Sequence, residues 1–295
     1  MFSWATIQLF LQFFVNGLMV GAIYSLIALG VVVVFKSTKV FNFAVGDMIM
    51  VGGFITFTLI STGISPIAVI ILSIISGILF GLIIERIALR PMIGQPGVAA
   101  IMVTLAGSFV LKGMTLLVWG APPKVFPKFL PGHNFRAGGI VWSSELLWTF
   151  GGAMCLFALF FLFYKFTRFG LDMRATSESH IIAQARGVSA TRIFALTWAI
   201  AGVTAMVGGV FLGVKLTLSL GMADVGLNAI SAVIFGGLES IGGALIGGLI
   251  VGVLENLVGG FIDPSLKEIS PSVILLMVLI FRPEGLFGLK RIERI

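Results

Sequence analysis

The chain has 295 residues, 58% of them apolar or aromatic and only 11% charged, with a mean hydropathy of +1.14. Soluble domains run near ~45–50% apolar and ~25% charged, so a water-soluble globule is excluded and lipid must be the solvent for most of the surface. The net charge of +7 includes no basic run interleaved with aromatics, which argues against nucleic acid, and the single cysteine, Cys155, excludes an internal disulfide or a multi-cysteine metal site.

The first 35 residues carry no charge. Residues 7–35 are longer than a signal-peptide core and lack the basic segment that precedes one, so they predict a retained spanning helix, tilted or broken. Further spans fit at 43–62, 64–84, 98–119, 145–164 and 193–213, each near the ~20 residues that cross hydrocarbon. The last third is less regular: 227–238, 241–261 and 272–281 are apolar pieces separated by Gly pairs or by a polar loop at 263–271, and the first and last are short for a full crossing. Gly makes up 38 residues, many inside apolar stretches, where membrane helices use it for close packing. The pattern predicts an all-α fold, a polytopic transmembrane helix bundle of about 8–9 spanning helices forming a single domain over 1–295.

Orientation follows from Lys and Arg in short loops. Lys36 and Lys39, Arg86 and Arg90, the set Lys165, Arg168, Arg174, Arg186 and Arg192, and finally Arg282, Lys290, Arg291 and Arg294 can all be cytoplasmic at once. Alternation then places the N-terminus and the loops at 121–144, 215–226 and 263–271 outside, giving nine crossings, or eight with one re-entrant segment. Lys124, Lys128 and Arg136 in the outer loop run against the rule without reversing it.

Several chemistries lack their residues. A nucleotide cradle ends in Gly-Lys-Ser/Thr, and Gly-Lys does not occur. The two histidines, His133 and His180, fall in predicted loops on opposite sides of the membrane, so they share neither a metal nor a catalytic pair. No catalytic or metal site is expected.

Ionisable residues inside spans are costly and usually face a cavity or a partner, which singles out Asp47, Lys112, Glu239 and Glu255. Asp47 follows the polar, kink-like stretch from Asn42 and lies at the cytoplasmic start of its helix, where it serves either as a cap or, with Asn42, in the pathway or a subunit contact. Lys112, two turns before Trp119, is expected to snorkel to the outer interface. Glu239 and Glu255 flank a Gly-rich helix and are expected to be solvated. The run from Gly236 and Gly237 through Gly243 to Gly247 and Gly248 spaces small residues at i and i+4, as helix packing requires. Its alternative is a broken helix whose backbone lines a cavity. Residues 169–192 form the most distinctive soluble piece: 175–185 predicts one short amphipathic surface helix ended by Gly187 at its C-cap.

In order along the chain stand Gly21-Ala22-Ile23-Tyr24-Ser25-Leu26, Phe41-Asn42-Phe43-Ala44-Val45-Gly46-Asp47, Glu85-Arg86-Ile87-Ala88-Leu89-Arg90-Pro91 and Arg282-Pro283-Glu284-Gly285-Leu286-Phe287-Gly288. With these motifs the chain resembles the permeases of branched-chain amino acid ABC transporters, the LivH type, over almost its whole length. The family's Asn-Phe-Ala-His-Gly-Glu stretch appears here with Val45 for His and Asp47 for Glu, and Glu239 stands where Gly is usual. The resemblance implies a cytoplasmic coupling loop at about 166–192 whose Ala175, Glu178, Ala183, Ala185 and Gly187 belong to the helix that docks into an ATPase subunit. It also implies a second homologous permease, two cytoplasmic ATPase subunits that hold the ATP and Mg, and an external binding protein, with no cofactor on this chain and a bacterial inner-membrane location. The expected function is uptake of branched-chain or similar amino acids. An ion- or proton-driven carrier, and a permease of the same family for urea or short amides, are the alternatives.

Overall fold

A computed structural model describes residues 4–127, 132–137, 140–282 and 284–288. Lys128, Pro283, Lys290, Arg291 and Arg294 lie outside the described residues, as do the side chains of Arg136 and His180. The chain runs α1 (Trp4–Thr38), α2 (Val45–Ser61), α3 (Pro66–Ile84), α4 (Gly97–Trp119), β1 (Asn134–Ala137), β2 (Ile140–Ser143), α5 (Ser144–Phe166), α6 (Arg168–Glu178), α7 (His180–Ala185), α8 (Ala190–Lys215), α9 (Met222–Gly236), α10 (Ile241–Phe261) and α11 (Ser270–Phe281).

Six of these helices are long and apolar enough to cross a bilayer, and α2, α9 and α11 are shorter apolar helices. At 1.5 Å per residue, the 35 residues of α1 extend about 52 Å, well over the ~30 Å of hydrocarbon, and α1 is continuous, not broken. In contrast, α2 is 17 residues long and begins at Val45, because 40–42 are non-helical and 43–44 form a turn where a helix is expected from 43. The loop at 121–144 contains the antiparallel hairpin β1–β2, with Asn134 opposite Ser143 and Ala137 opposite Ile140.

The chain forms two compact units: residues 1–28, 130–155 and 228–295 in the first, and 29–129 and 156–227 in the second. In the second unit α3 and α8 run antiparallel with their backbones in contact. A Cβ at Gly81 would overlap the Trp198 carbonyl, and one at Gly202 would overlap the Gly77 carbonyl. Gly52 lies against Met206, and Gly209 against the Ile49 carbonyl, so α2 crosses α8 at the same close distance. Lipid offers no hydrophobic drive for helix association, and small residues supply the contact area instead. Helix α4 runs parallel to α2: the Thr104 hydroxyl faces the backbone of Phe41 and Phe43 near one end, and Trp119 Nε1 donates to Thr58 Oγ1 at 2.8 Å near the other.

In the first unit α1 and α10 are antiparallel. Gly17 meets Gly252 and Val253, Gly21 meets Gly248 and Leu249, and Ser25 Oγ donates to the Leu245 carbonyl at 2.8 Å. Glu255, expected to be solvated, is buried and accepts from Tyr24 Oη at 2.7 Å. A buried carboxylate at this depth needs such a donor. Residues 284–288 complete α9: Leu286 N donates to the Phe235 carbonyl at 2.9 Å and Phe287 N to that of Gly236 at 3.1 Å. Two carbonyls that a helix end leaves unpaired are thus filled from the far side of α11.

Candidate functional sites

The 166–192 segment is built on a tight corner. Thr167 caps α6 by accepting from Gly170 N at 3.0 Å, and Gly170 packs so close to the Tyr164 carbonyl that a Cβ would overlap it. The Tyr164 ring carries two cations, Lys36 Nζ 5.4 Å and Arg174 Cζ 5.6 Å from its centroid, which tie α6 to the ends of α1 and α5. The single helix expected over 175–185 is two: Ser179 is extended (φ −158°, ψ 115°), ends α6, and starts α7 by accepting from Ile182 N at 3.3 Å. A Ser side chain that bonds forward to the backbone competes with the helix running through it, which is why the break falls there.

Gly187 sits at φ +86°, with Val188 N on the Ala183 carbonyl at 3.0 Å and Gly187 N on that of Gln184 at 2.9 Å. That 6→1 and 5→2 pair is a Schellman end, which needs a residue free to adopt positive φ. Of the five residues singled out here, Glu178, Ala185 and Gly187 are exposed, Ala175 is half-buried, and Ala183 is only 3% exposed and seats α7 on the bundle. Ile182, which the motif did not single out, is 63% exposed. A cavity of about 440 Å³, lined by Thr38, Lys39, Gln95, Gln184, Phe194 and Trp198 among others, lies beside α7.

At the same end of the unit α3 widens into a π-helical turn, Glu85–Leu89. The buried Glu85 carboxylate takes a two-pronged grip from Arg90, Nε to Oε1 at 3.1 Å and Nη2 to Oε2 at 2.9 Å. The i, i+5 spacing matches the widened turn, and the fork-to-fork geometry is the strong form of this pair. Sequence reasoning recorded both residues in a motif but assigned them no contact.

Asn42 stands just before the turn that enters α2, and Asp47 in the first turn of that helix. Asn42 is buried, accepts from Ala44 N at 3.0 Å and places its amide 3.3 Å from Met48 Sδ, so it holds the entry turn. Ala44, the residue before α2, has no side chain that could cap it, and Asp47 lies in the first turn. Its Oδ2 accepts from Ser108 Oγ and its Oδ1 lies 3.9 Å from Lys112 Nζ. Lys112, expected to snorkel to the outer interface, thus has a carboxylate of the neighbouring helix within ion-pair distance while its side chain stays 40% exposed. Ser108 is the middle residue of the 23-residue α4, which puts the Asp47 carboxylate near mid-depth of that span although it stands in the first turn of its own helix. Gly46, one residue earlier, is in backbone contact with Ala223 and Gly226 at the start of α9.

The glycine run folds as a helical hairpin. α9 ends at Gly236, Gly237 turns at φ +103°, and Ser240 caps α10 by accepting from Gly243 N at 2.9 Å. Gly236 and Gly243 touch backbone to backbone, Gly247 meets the Ala232 carbonyl, and Gly248 meets Ser25.

A bundle of spanning helices, backbone-close at glycines, with a polar cluster at mid-depth and a short soluble helix pair on one face, defines a multi-pass membrane permease. The chain belongs to the branched-chain amino acid transport system / permease component family, whose profile matches residues 13–281. It is 32% identical to the high-affinity branched-chain amino acid transport system permease protein BraD of Pseudomonas aeruginosa, over 97% of this chain and 98% of that protein. Identity to the LivH permease protein of Salmonella typhimurium, from the same type of system, is 30% with the same coverage. Among solved structures, PsaBC from Streptococcus pneumoniae in complex with Fab contains a chain of like fold, with a TM-score of 0.51 at 13% identity over 94% of this chain and 93% of that one. The chain is thus an inner-membrane component of a multi-component transport system, and this membership does not favour the ion-driven carrier.

Proposed function

We propose that this permease imports branched-chain amino acids, with ATP hydrolysed by separate subunits and transmitted through α6 and α7. One observation carries the reading. The α6–α7 pair is seated on the bundle by buried Met173, Thr176 and Ala183, and turns Glu178, Ile182, Ala185 and Gly187 outward. An apolar side chain as exposed as Ile182 on a capped six-residue helix, with the exposed Glu178 ending the helix before it, suits insertion into a groove on another protein. The cavity beside α7 leaves that helix room to tilt against the start of α8 when a partner pushes on it.

In this reading the partners are a second homologous permease, two cytoplasmic ATPases that hold the ATP and Mg, and an external binding protein. The relatives are named for branched-chain amino acid systems, and that is the substrate class proposed here. Tagging the chain, extracting it in mild detergent from its own cells and identifying its companions by mass spectrometry tests the assembly. Two ATPase subunits and a second permease at near-equal amounts are expected. Recovery of this chain alone, still active in uptake after reconstitution, would overturn the reading. Glu178→Arg or Gly187→Pro is expected to abolish uptake with membrane insertion intact; normal uptake by both would remove the coupling role from α7.

A further inference from the structure

The Asp47–Ser108–Lys112 cluster has a geometry that a purely structural tie does not call for. The Asp47 side chain is 5% exposed, yet its Oδ1 makes no hydrogen bond, and the nearest cation, Lys112 Nζ, stands at 3.9 Å, beyond hydrogen-bonding reach. Ser108 occupies only Oδ2. A buried carboxylate with one oxygen unmet is costly to keep. Lys112 differs in accessibility: its side chain is 40% exposed, one helical turn beyond the midpoint of α4. An exposed ammonium at that depth is costly against hydrocarbon, so it belongs beside a polar path. The cluster therefore offers an unmet acceptor, an accessible cation a few ångströms away and a hydroxyl between them. An α-amino acid headgroup carries the complementary pair, an ammonium and a carboxylate joined through one carbon.

We propose that Asp47, Ser108 and Lys112 form a headgroup site at mid-depth of the transport path, taking the ammonium of a zwitterionic amino acid on Asp47 Oδ1 and its carboxylate on Lys112 Nζ. This rests on the amino-acid importer reading above. When the site is empty, the two charges neutralise each other loosely; when a headgroup arrives, Lys112 swings from one carboxylate to another and no net charge is left buried. An exchange of that kind gives weak, passing binding, which suits a path that must also release its cargo.

The test uses the complete importer, with its binding protein and ATPases, in proteoliposomes, and measures initial rates of tritiated leucine uptake with and without ATP. Lys112→Gln is expected to slow ATP-driven uptake about tenfold, the scale of one hydrogen bond to a charged group, and Lys112→Arg to retain most of it. Removing both charges in Asp47→Asn with Lys112→Gln separates the roles, since a structural tie loses its unpaired charge in the double variant and recovers, whereas a headgroup site stays at or below the single-variant rate. Recovery of wild-type uptake in the double variant, or a wild-type rate for Lys112→Gln, overturns the proposal. Should Asp47→Asn prevent assembly, the melting midpoint of Lys112→Gln in detergent decides: slowed uptake with an unmoved midpoint supports the headgroup site, and a lowered midpoint assigns Lys112 to a structural tie and overturns the proposal. Uptake by the unaltered importer that does not depend on ATP would instead defeat the importer reading itself.

Discussion

The α3–α8 contact and the α6–α7 pair belong to the same compact unit and are held together by opposite means. At α3–α8 three glycines, Gly77, Gly81 and Gly202, bring two long helices to backbone distance, and apolar length does the rest. At α6–α7 the helices are 11 and 6 residues long, too short to persist alone, and each exists because a side chain or a positive-φ glycine satisfies its ends. The first region resists change in volume; the second resists change in capping. A transporter that must move one element against another gains from having these tolerances in different places.

Changing volume should have the largest effect. Gly202→Leu drives a side chain into the Gly77 carbonyl and the Gly81 backbone and is expected to cost more than about 3 kcal/mol, read as loss of monodisperse protein after detergent extraction. Gly151→Leu on α5, where nothing stands within 4 Å of the new Cβ, should leave that yield unchanged. Equal losses would show that the extra side chain, not the overlap, does the damage.

The Glu85–Arg90 grip, at the boundary between the two regions, comes next. Arg90→Ala strands a buried carboxylate and should destabilise by about 3 kcal/mol, while Glu85→Ala leaves a part-exposed guanidinium that water can reach and should cost about 1 kcal/mol. Melting midpoints of the two variants in detergent check the asymmetry. Ser179→Ala has the smallest effect, about 1 kcal/mol confined to α7. Amide exchange over 180–186 should quicken about fivefold with the global midpoint unmoved.

The long spans were legible because bilayer thickness fixes the length of an apolar helix: the expected 64–84, 98–119 and 241–261 end within a residue or two of α3, α4 and α10. The late start of α2 was not, since Val40, Phe41, Phe43 and Ala44 are as apolar outside a helix as within one and hydropathy is blind to the difference. The break at Ser179 left a signal, a Ser placed three residues before the amide it caps, but Thr176 and Ser177 compete as caps and mask it. Asp47 and Lys112 were each noticed alone. Their pairing depends on the parallel course of α2 and α4, which no periodicity within either helix encodes. The fold class and the outline of the α6–α7 segment were therefore available from local pattern, whereas the mid-depth cluster required the tertiary register.

The way 284–288 closes α9 bears on how the protein is made. Phe235 and Gly236 leave the ribosome about fifty residues before Leu286 and Phe287, so during synthesis the end of α9 has two open carbonyls while α10 and α11 are still being threaded into the bilayer. Until the closing segment arrives, that corner can still breathe, giving the α9–α10 hairpin time to find its glycine contacts. Once Leu286 and Phe287 bond back, the hairpin is latched by a segment that follows α11, so α9 is finished only after α11 has been made.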